Sequence, residues 1–566
     1  MIKFKKIFNN NSDLKESQYK RFFARANQRI SILLKIFYLL LSLILLKLLY
    51  IIFTSYYNKP YTPNINNPSS TTFLRKNIID RNNNSIAITI PSVSISLKPN
   101  EIEDKEKAKE AMIKVFGMKE SQAEKIISSN KSFVWLKRNI SIKKEIEFRR
   151  YGLIGFYFQK EYKRYYPYSN LFSHIIGFTN IDGEGISGLE YSQNNQLRDH
   201  EVQLSLDLRL QTLLHDNLES SLINNKAEKA FGMIVDAKTG EVLALSNLPD
   251  YNPNNRGNLD NIFNSVTQGV YEPGSIFKVF TLGICLELKL CNINTEYDVS
   301  FPILKNGEMI QDYTYIDHKI ILPEVFMFSS NVGTSLIVEK IGKNNMINYL
   351  NKLNLLEDNT LEIIEKENAI YPKLNNDHSL MTLSYGHGIA LTQVNMVNGV
   401  LALINEGYYI PLTLFKINDK SKILPKKIFS NETSRVFRAI SRLVVAKGSG
   451  KYADVEGYNV AGKTGSAEKQ VQGIYNADKV FSSFIGFFPA ENPKYIVIVS
   501  IDEPKRLKFN NYNITGGIVA AKAVNGIIKD LTQTLGLEKS KDKAKDINQN
   551  SRQEIIDFIN NFNHNK

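Results

Sequence analysis

Glu272-Pro273-Gly274-Ser275-Ile276-Phe277-Lys278 is the stretch from which the reading starts. Pro-Gly marks a turn, and Ser275 then opens a helical run from Phe277 to Leu288. Lys278 follows three residues later, which places its amine on the same helix face as the Ser275 hydroxyl. Taken singly, Ser275 is an ordinary helix N-cap, and a Ser three residues before a Lys is common by chance. Two further short stretches change that reading. Ser329-Ser330-Asn331 lies 54 residues beyond Ser275, and Lys463-Thr464-Gly465-Ser466 lies 134 residues beyond Ser329. Alone, one is a polar turn and the other a strand end. In this order, with room for a helical lobe between the first and third, they form a nucleophile, a relay and an anion-binding strand.

The chemistry requires these residue types. A Ser hydroxyl is a poor nucleophile and needs an adjacent base. Lys278 can serve when neutral, and both desolvation and a second cation, Lys463, push it toward that form. Ser329 can relay a proton between Lys278, Lys463 and a leaving amine. Asn331 can hydrogen-bond a substrate amide. Backbone N–H groups of Ser275 and Ser466 are the candidate oxyanion donors. The Thr464 and Ser466 hydroxyls, with Lys463, can hold a terminal carboxylate, and the strand through Gly465 offers its backbone edge to an extended peptide.

Around these motifs the elements alternate between two types. Asp207 to Ile223 has helical spacing. Phe231 to Ala237 and Glu241 to Ser246 flank Lys238-Thr239-Gly240 as a hairpin. Strands are expected at Gly457 to Glu468, Val480 to Phe488 and Lys494 to Ile501, and a closing helix at Gly516 to Leu535. Strands, then many helices, then strands describe an α+β sheet with an inserted helical lobe. Upstream, about 72 to 200 mixes strand segments, for example Ser85 to Leu97, with a charged helical stretch near Glu101 to Lys114. That implies an elongated module of mixed structure, to which the sequence alone assigns no chemistry. From Glu538 onward the chain is polar and reads as a mobile tail.

Ser31 to Phe53 is an apolar run of 23 residues, about 35 Å as a helix, enough to span a bilayer. Lys35 and Lys47 lie near its ends and can snorkel. Residues 1–30 carry eight Lys and Arg against two acidic residues, and Ser55 to Thr72 carries only Lys59. The positive-inside rule then leaves residues 1–30 in the cytoplasm and everything after the helix outside. The expected organisation is a basic segment (1–30), a transmembrane helix (31–53), a linker and pedestal (54–201), a catalytic domain (202–535) and a polar tail (536–566).

Composition removes other classes. The chain has 566 residues, 71 Lys and Arg against 57 Asp and Glu, and a formal charge of +14. Its strongest basic cluster is explained by membrane topology, which argues against nucleic-acid binding. Charged residues make up 23 % of the chain, too many for a multispanning membrane protein. Two Cys exclude a disulfide-dense scaffold, and the seven His lack zinc-hydrolase spacing. Cys285 and Cys291, six apart, read as packed or free thiols, and the spacing leaves open whether they bond in an oxidising compartment.

With these motifs in place, the chain resembles a class B penicillin-binding protein of the division-specific FtsI type. The resemblance covers roughly Phe73 to Leu535. It includes the stretch Arg75-Lys-Asn-Ile-Ile-Asp-Arg-Asn-Asn-Asn-Ser-Ile-Ala87, and Trp135-Leu-Lys-Arg138, Arg164-Tyr-Tyr-Pro167, His174-Ile-Ile-Gly-Phe178 and Asp182-Gly-Glu-Gly-Ile-Ser-Gly-Leu-Glu190 in the pedestal. Tyr251-Asn-Pro-Asn-Asn255, Ser384-Tyr-Gly-His-Gly388 and Gly448-Ser-Gly450 are similar to further boxes of the catalytic domain. The resemblance implies a five-stranded antiparallel sheet with helices and an all-helical lobe. It implies acylation of Ser275 by the penultimate D-alanine of a stem pentapeptide, transfer to an amine of a neighbouring stem, and acylation by β-lactams. Implied partners are peptidoglycan stem pentapeptides, a septal glycosyltransferase and other division proteins at the inner membrane, with the catalytic domain periplasmic. No metal or organic cofactor is implied. Lys76 and Asn83 stand where Gly is usual, Phe263 where Arg often precedes Asn264, and Lys522 where Pro is usual; Ser449 and Ser466 replace Thr but keep the hydroxyl.

Four other readings compete. A β-lactamase leaves the anchor and the long module before the catalytic domain unexplained. A bifunctional glycosyltransferase lacks its acidic motif between Phe53 and Val202. A non-catalytic division scaffold or β-lactam sensor has no need of an intact Ser275, Lys278, Ser329, Asn331 and Lys463. The elongation-type relative is a nearer competitor, against which Glu272-Pro-Gly-Ser275 and Gly177-Phe-Thr179 favour the division type.

Overall fold

The computed structural model describes residues 32–50, 74–255, 260–357, 359–471, 474–505 and 518–562. The basic segment 1–30 and the linker 54–72 lie outside the described residues. The chain divides into two compact units, Met1–Thr72 and Phe73–Lys566. In the first, α1 (Ile32–Tyr50) is an exposed helix of 19 residues, long and apolar enough to cross a membrane.

The second unit begins with the pedestal. Its strands are β1 (Ile78–Ile79), β2 (Ser85–Leu97), β3 (Val134–Ile140), β4 (Phe156–Tyr165) and β5 (Val202–Gln203). β2 is one continuous 13-residue strand that pairs antiparallel with β1, β3 and β4, so a single long strand organises this module. Val93, Ile95 and Leu97 on β2 pack against Ala108, Met112 and Val115 of α2 (Lys105–Phe116). Asp104 caps that helix by accepting from Lys107 N at 2.9 Å, and Gly117, at φ 64°, ends it. Glu190, fully buried, is held by Arg75 and by Arg164 Nε at 2.6 Å. The boundary near 201 is no break in packing. Ile78, Ile175 and Leu189 share one buried cluster with Leu204 and Phe231. Gly188 N donates to the Glu365 carboxylate at 2.9 and 3.1 Å.

The catalytic domain is built on a five-stranded antiparallel sheet. Its strands are β6 (Lys229–Asp236), β7 (Val242–Leu248), β8 (Ala461–Val471), β9 (Ile474–Phe488) and β10 (Tyr495–Asp502), in the order β8-β9-β10-β6-β7. Period-two alternation assigns the two faces. Val497, Val499 and Ile501 pack with Leu210, Leu214 and Leu218 of α3 (Leu208–Asn224) and with Val524, Ile527 and Leu531 of α9 (Val519–Thr534). Ile496 and Ile498 face the other way, into the helical lobe. That lobe includes α4 (Lys278–Glu287), α5 (Leu322–Met327), α6 (Asn331–Ile341), α7 (Gln393–Ile404) and α8 (Asn431–Ala446).

Two expectations need correction. The segment expected as a polar, mobile tail carries a short 3-10 turn, Lys543–Asp546, and α10 (Arg552–Asn561). Ala544, Ile547, Ile555, Ile559 and Phe562 are buried in the lobe core, so five apolar side chains pin an otherwise polar segment. Cys285 and Cys291 are not free thiols but a disulfide, with Cα atoms 5.7 Å apart across the end of α4.

Candidate active site

Three segments meet at one edge of the sheet. Ser275 sits in the 3-10 turn Gly274–Ile276, which leads directly into α4, so the helix begins at Lys278, one residue after the expected Phe277. Ser329 and Asn331 flank the junction of α5 and α6. Lys463, Thr464, Gly465 and Ser466 lie on β8, an edge strand whose outer side is free of any sheet partner among the described residues.

Glycines allow the close approach. Gly274 has φ 52°, and a Cβ there would lie 2.5 Å from Ser466 O. A Cβ on Gly465 would lie 2.7 Å from Pro273 O. Gly386, at φ 86°, packs from the far side; its carbonyl accepts from Gly274 N at 3.3 Å, and a Cβ there would lie 2.2 Å from Gly274 O. The nucleophile turn is therefore clamped between β8 and the Ser384–Gly388 loop, with no room for a side chain at either contact.

The charged groups converge on Ser329. Lys278 Nζ donates to Ser329 O at 2.6 Å, Ser329 Oγ at 3.2 Å and Asn331 Oδ1 at 2.7 Å. Lys463 Nζ donates to the same Ser329 Oγ at 2.8 Å. One hydroxyl thus bridges two lysines that are 0 % and 1 % exposed. Burial pushes Lys278 well below the ordinary lysine value, Lys463 pushes it further, and Asp312 opposes both. Burial alone lowers Lys463 to about 7. His387, on the Ser384–Gly388 loop, is also lowered by burial; Glu272 opposes that shift and Lys278 adds to it.

Ser329 has φ 60°, a left-handed conformation uncommon for a residue with a side chain. The next residue, Ser330, is the N-cap of α6 and accepts from Gly333 N at 2.8 Å. Asp312 completes the cap. Its Oδ2 accepts from Ser330 Oγ at 2.7 Å, and its Oδ1 accepts from Asn331 N and, at 3.0 Å, from Val332 N. A carboxylate at a helix N-terminus is favourable for both its hydrogen bonds and its charge. Sequence reasoning missed Asp312, because it lies 19 residues before Asn331 and no spacing rule joins them.

The third motif is tied in by Thr464, whose hydroxyl lies 3.3 Å from Ser449 Oγ, and Ser449 N donates to Met327 O at 3.1 Å. The structure therefore brings together Lys278, Ser329, Asn331 and Lys463 through hydrogen bonds, and Gly465 and Ser466 through close packing on the Ser275 turn. Ser275 Oγ makes no hydrogen bond among the described residues. It is half-buried beside the edge of β8. The Lys278 amine is directed to the second motif, not to Ser275 as the helix-face argument expects.

Comparison with known proteins agrees with this architecture. Residues 230–529 match the family described as penicillin binding protein transpeptidase domain. Residues 71–203 match the penicillin-binding protein dimerisation domain. A probable peptidoglycan D,D-transpeptidase FtsI from Caulobacter vibrioides is 30 % identical over 485 residues, covering 82 % of each chain. A probable peptidoglycan D,D-transpeptidase PenA from Neisseria meningitidis is 30 % identical over 512 residues, covering 82 % of this chain and 85 % of that one. The crystal structure of penicillin binding protein 3 from Mycobacterium, complexed with aztreonam, superposes with a TM-score of 0.64 at 22 % identity, over 82 % of this chain and 97 % of that one. That likeness speaks to the fold. With both domain matches in this order and the motif residues gathered at one sheet edge, the chain belongs to the class B penicillin-binding proteins of FtsI type, a family of serine D,D-transpeptidases.

Proposed function

We propose that this chain cross-links peptidoglycan stem peptides through an acyl-serine on Ser275, and that β-lactams acylate the same residue. The observation that carries the reading is the Ser329 hydroxyl shared by two buried lysines. The three acceptors around Lys278 Nζ match the three hydrogens of an ammonium. To act as base, Lys278 hands one proton on, and Ser329 Oγ is the bridge to Lys463. Neutral Lys278 then takes the Ser275 proton as Oγ attacks the penultimate D-alanine carbonyl. The oxyanion is received by the N–H groups of Ser275 and Ser466. The C–N bond to the terminal D-alanine breaks, and the proton returns through Ser329 to the departing amine. An amine from a second stem repeats the path in reverse and leaves the cross-link.

In this reading Asn331 and the outer edge of β8 hold the stem backbone, and Lys463, Thr464 and Ser466 hold the terminal carboxylate. The pedestal (residues 54–201) positions the domain spanning 202–535. α1 anchors the chain in the inner membrane with residues 1–30 cytoplasmic and the catalytic domain periplasmic, supported by the charge asymmetry across the span. A role at the division septum, beside a septal glycosyltransferase and other division proteins, follows from the FtsI-type resemblance, and the names of the relatives support the peptidoglycan D,D-transpeptidase activity itself. Aztreonam in the structural neighbour supports β-lactam binding.

The test is covalent labelling with a fluorescent penicillin, with mass spectrometry to locate the adduct, on wild type and Ser275→Ala. A slowly released adduct on Ser275, absent from the variant, is expected. Folded wild-type protein that takes no label refutes the reading.

A further inference from the structure

The C-terminal segment touches both walls of the active site. From the end of α9 it runs along the loop before β8. Ser540 N donates to Gly457 O at 2.7 Å, and Asn459 Nδ2 donates to Lys541 O at 3.1 Å. It then presents Asp542 to Arg442, a guanidinium on α8 that is 1 % exposed. Arg442 Nε donates to Asp542 Oδ1 at 3.3 Å and Nη2 pairs with Oδ2; Nη1 meets Asp454 Oδ1 at 3.0 Å and also donates to Val460 O. Val460 directly precedes β8 and is three residues from Lys463. About one turn of helix further on, α8 ends at the loop that carries Ser449, the partner of Thr464. A buried guanidinium thus ties the C-terminal segment to the origin of the catalytic strand.

Beyond Asp542 the segment crosses to the opposite wall. Arg552, at the start of α10, pairs with Glu296 at 2.8 Å, donates to Lys319 O, and lies 3.5 Å from Glu324 Oε2. The same Glu324 oxygen accepts from Ile321 N at 2.8 Å and so closes the N-terminus of α5, the helix that leads into Ser329. The far end of α10 is held by Arg435 of α8, which donates to Ile559 O and Phe562 O. Surface ion pairs alone contribute little. Here one pair is buried, and five apolar side chains hold the rest in place.

We infer that residues 537–562 form a strap that sets the separation of the two catalytic walls, with Asp542 acting through Arg442 on β8 and Arg552 acting through Glu324 on α5. Both are positioning residues, and the inference rests on the transpeptidase reading above. The separation matters because Lys463 on β8 and Ser329 after α5 must share a 2.8 Å hydrogen bond. A displacement of about 1 Å at a reacting centre can cost about 100-fold in rate.

The test uses the full-length chain in detergent and follows the second-order rate of acylation by a fluorescent penicillin as a function of pH, with a thermal melt for each variant. Asp542→Ala is expected to slow acylation by about tenfold or more in the folded protein. It is also expected to move the acid limb of the profile to higher pH, as water reaches the lysines. The charged groups facing Lys278 are Lys463 and Asp312, with His387 on the adjoining loop, and none is altered by these variants. Asp542→Glu should recover most of the rate. Arg552→Met, at a half-buried position, should shift rate and limb in the same direction by less, and it decides the matter if Asp542→Ala does not fold. Folded variants with wild-type rate and limb overturn the inference. So does a loss that only tracks the folded fraction, with the limb unmoved. Wild-type protein that takes no label overturns the transpeptidase reading, and this inference falls with it.

Discussion

Asp312→Asn separates charge from geometry at the second motif. An Asn oxygen in the Oδ1 position still accepts from Asn331 N and Val332 N, and its amide can donate to Ser330 Oγ. What is lost is the negative charge. A charge-assisted hydrogen bond is about twice a neutral one, itself worth about 1 kcal/mol net, so two weakened backbone bonds amount to about 2 kcal/mol. Half-exposure of Asp312 reduces that to about 1 kcal/mol of folding stability. The kinetic effect has a sign of its own. Asp312 raises Lys278 against burial and Lys463, which both lower it. Removing the charge lowers Lys278 further, so the neutral base persists to lower pH. The acid limb of acylation should therefore move down, while the plateau rate falls by less than about tenfold. Penicillin acylation measured from about pH 5 to 9, beside a thermal melt, reads both effects. A limb that stays in place or moves up refutes the claim that Lys278 is the base whose charge Asp312 controls.

Lys463→Met should stabilise the fold while lowering acylation by about 100-fold or more. Burial holds this amine at about 7 against an ordinary 10.5, a cost of about 5 kcal/mol at low pH. The native state binds fewer protons than the unfolded chain between those values, so the cost is full below about 7 and fades as pH rises toward 10.5. The gain in melting temperature of the variant should shrink over that same window. Gly274→Ala should cut acylation by about 100-fold, because its Cβ would press on Ser466 O and separate the nucleophile turn from β8; a wild-type rate would mean that the turn is not held there. Glu190→Gln should destabilise the pedestal by about 3 kcal/mol, since two buried guanidinium groups lose their shared carboxylate. Acylation of the folded fraction should not change, and a lowered rate at full folding would count against a purely positional role for the pedestal.

The parts of the site that sequence reading reaches are those carried by local chemistry. The Ser275, Ser329 and Lys463 motifs announce reactive groups, and the hairpin and three later strands announce the sheet by alternation and turn residues. Asp312 escapes because its role depends on a loop folding back onto the start of α6. The disulfide escapes because a six-residue spacing suits bonded and free thiols alike, and only the turn after α4 brings the Cα atoms to 5.7 Å. At the tail, composition points away from the structure. Ile555 and Ile559 stand four apart on one helix face and carry the signal, but polar neighbours dilute it. α4 starts at Lys278, one residue after the expected Phe277, and a tighter 3-10 turn holds Ser275 ahead of it.

The sheet order also sets a timetable. β10 pairs with β6 across about 260 residues of intervening chain, with Tyr495 opposite Asp236. During synthesis the β6–β7 hairpin emerges long before its neighbour, and its β6 edge stays unpaired while the whole helical lobe is made. Contacts this distant in sequence form slowly, because the loop must close before they stabilise anything. The catalytic edge is assembled last, so a chain stopped anywhere before β10 lacks a completed sheet. The newborn protein thus passes through a period in which its most β-prone surface is open to pairing with other chains.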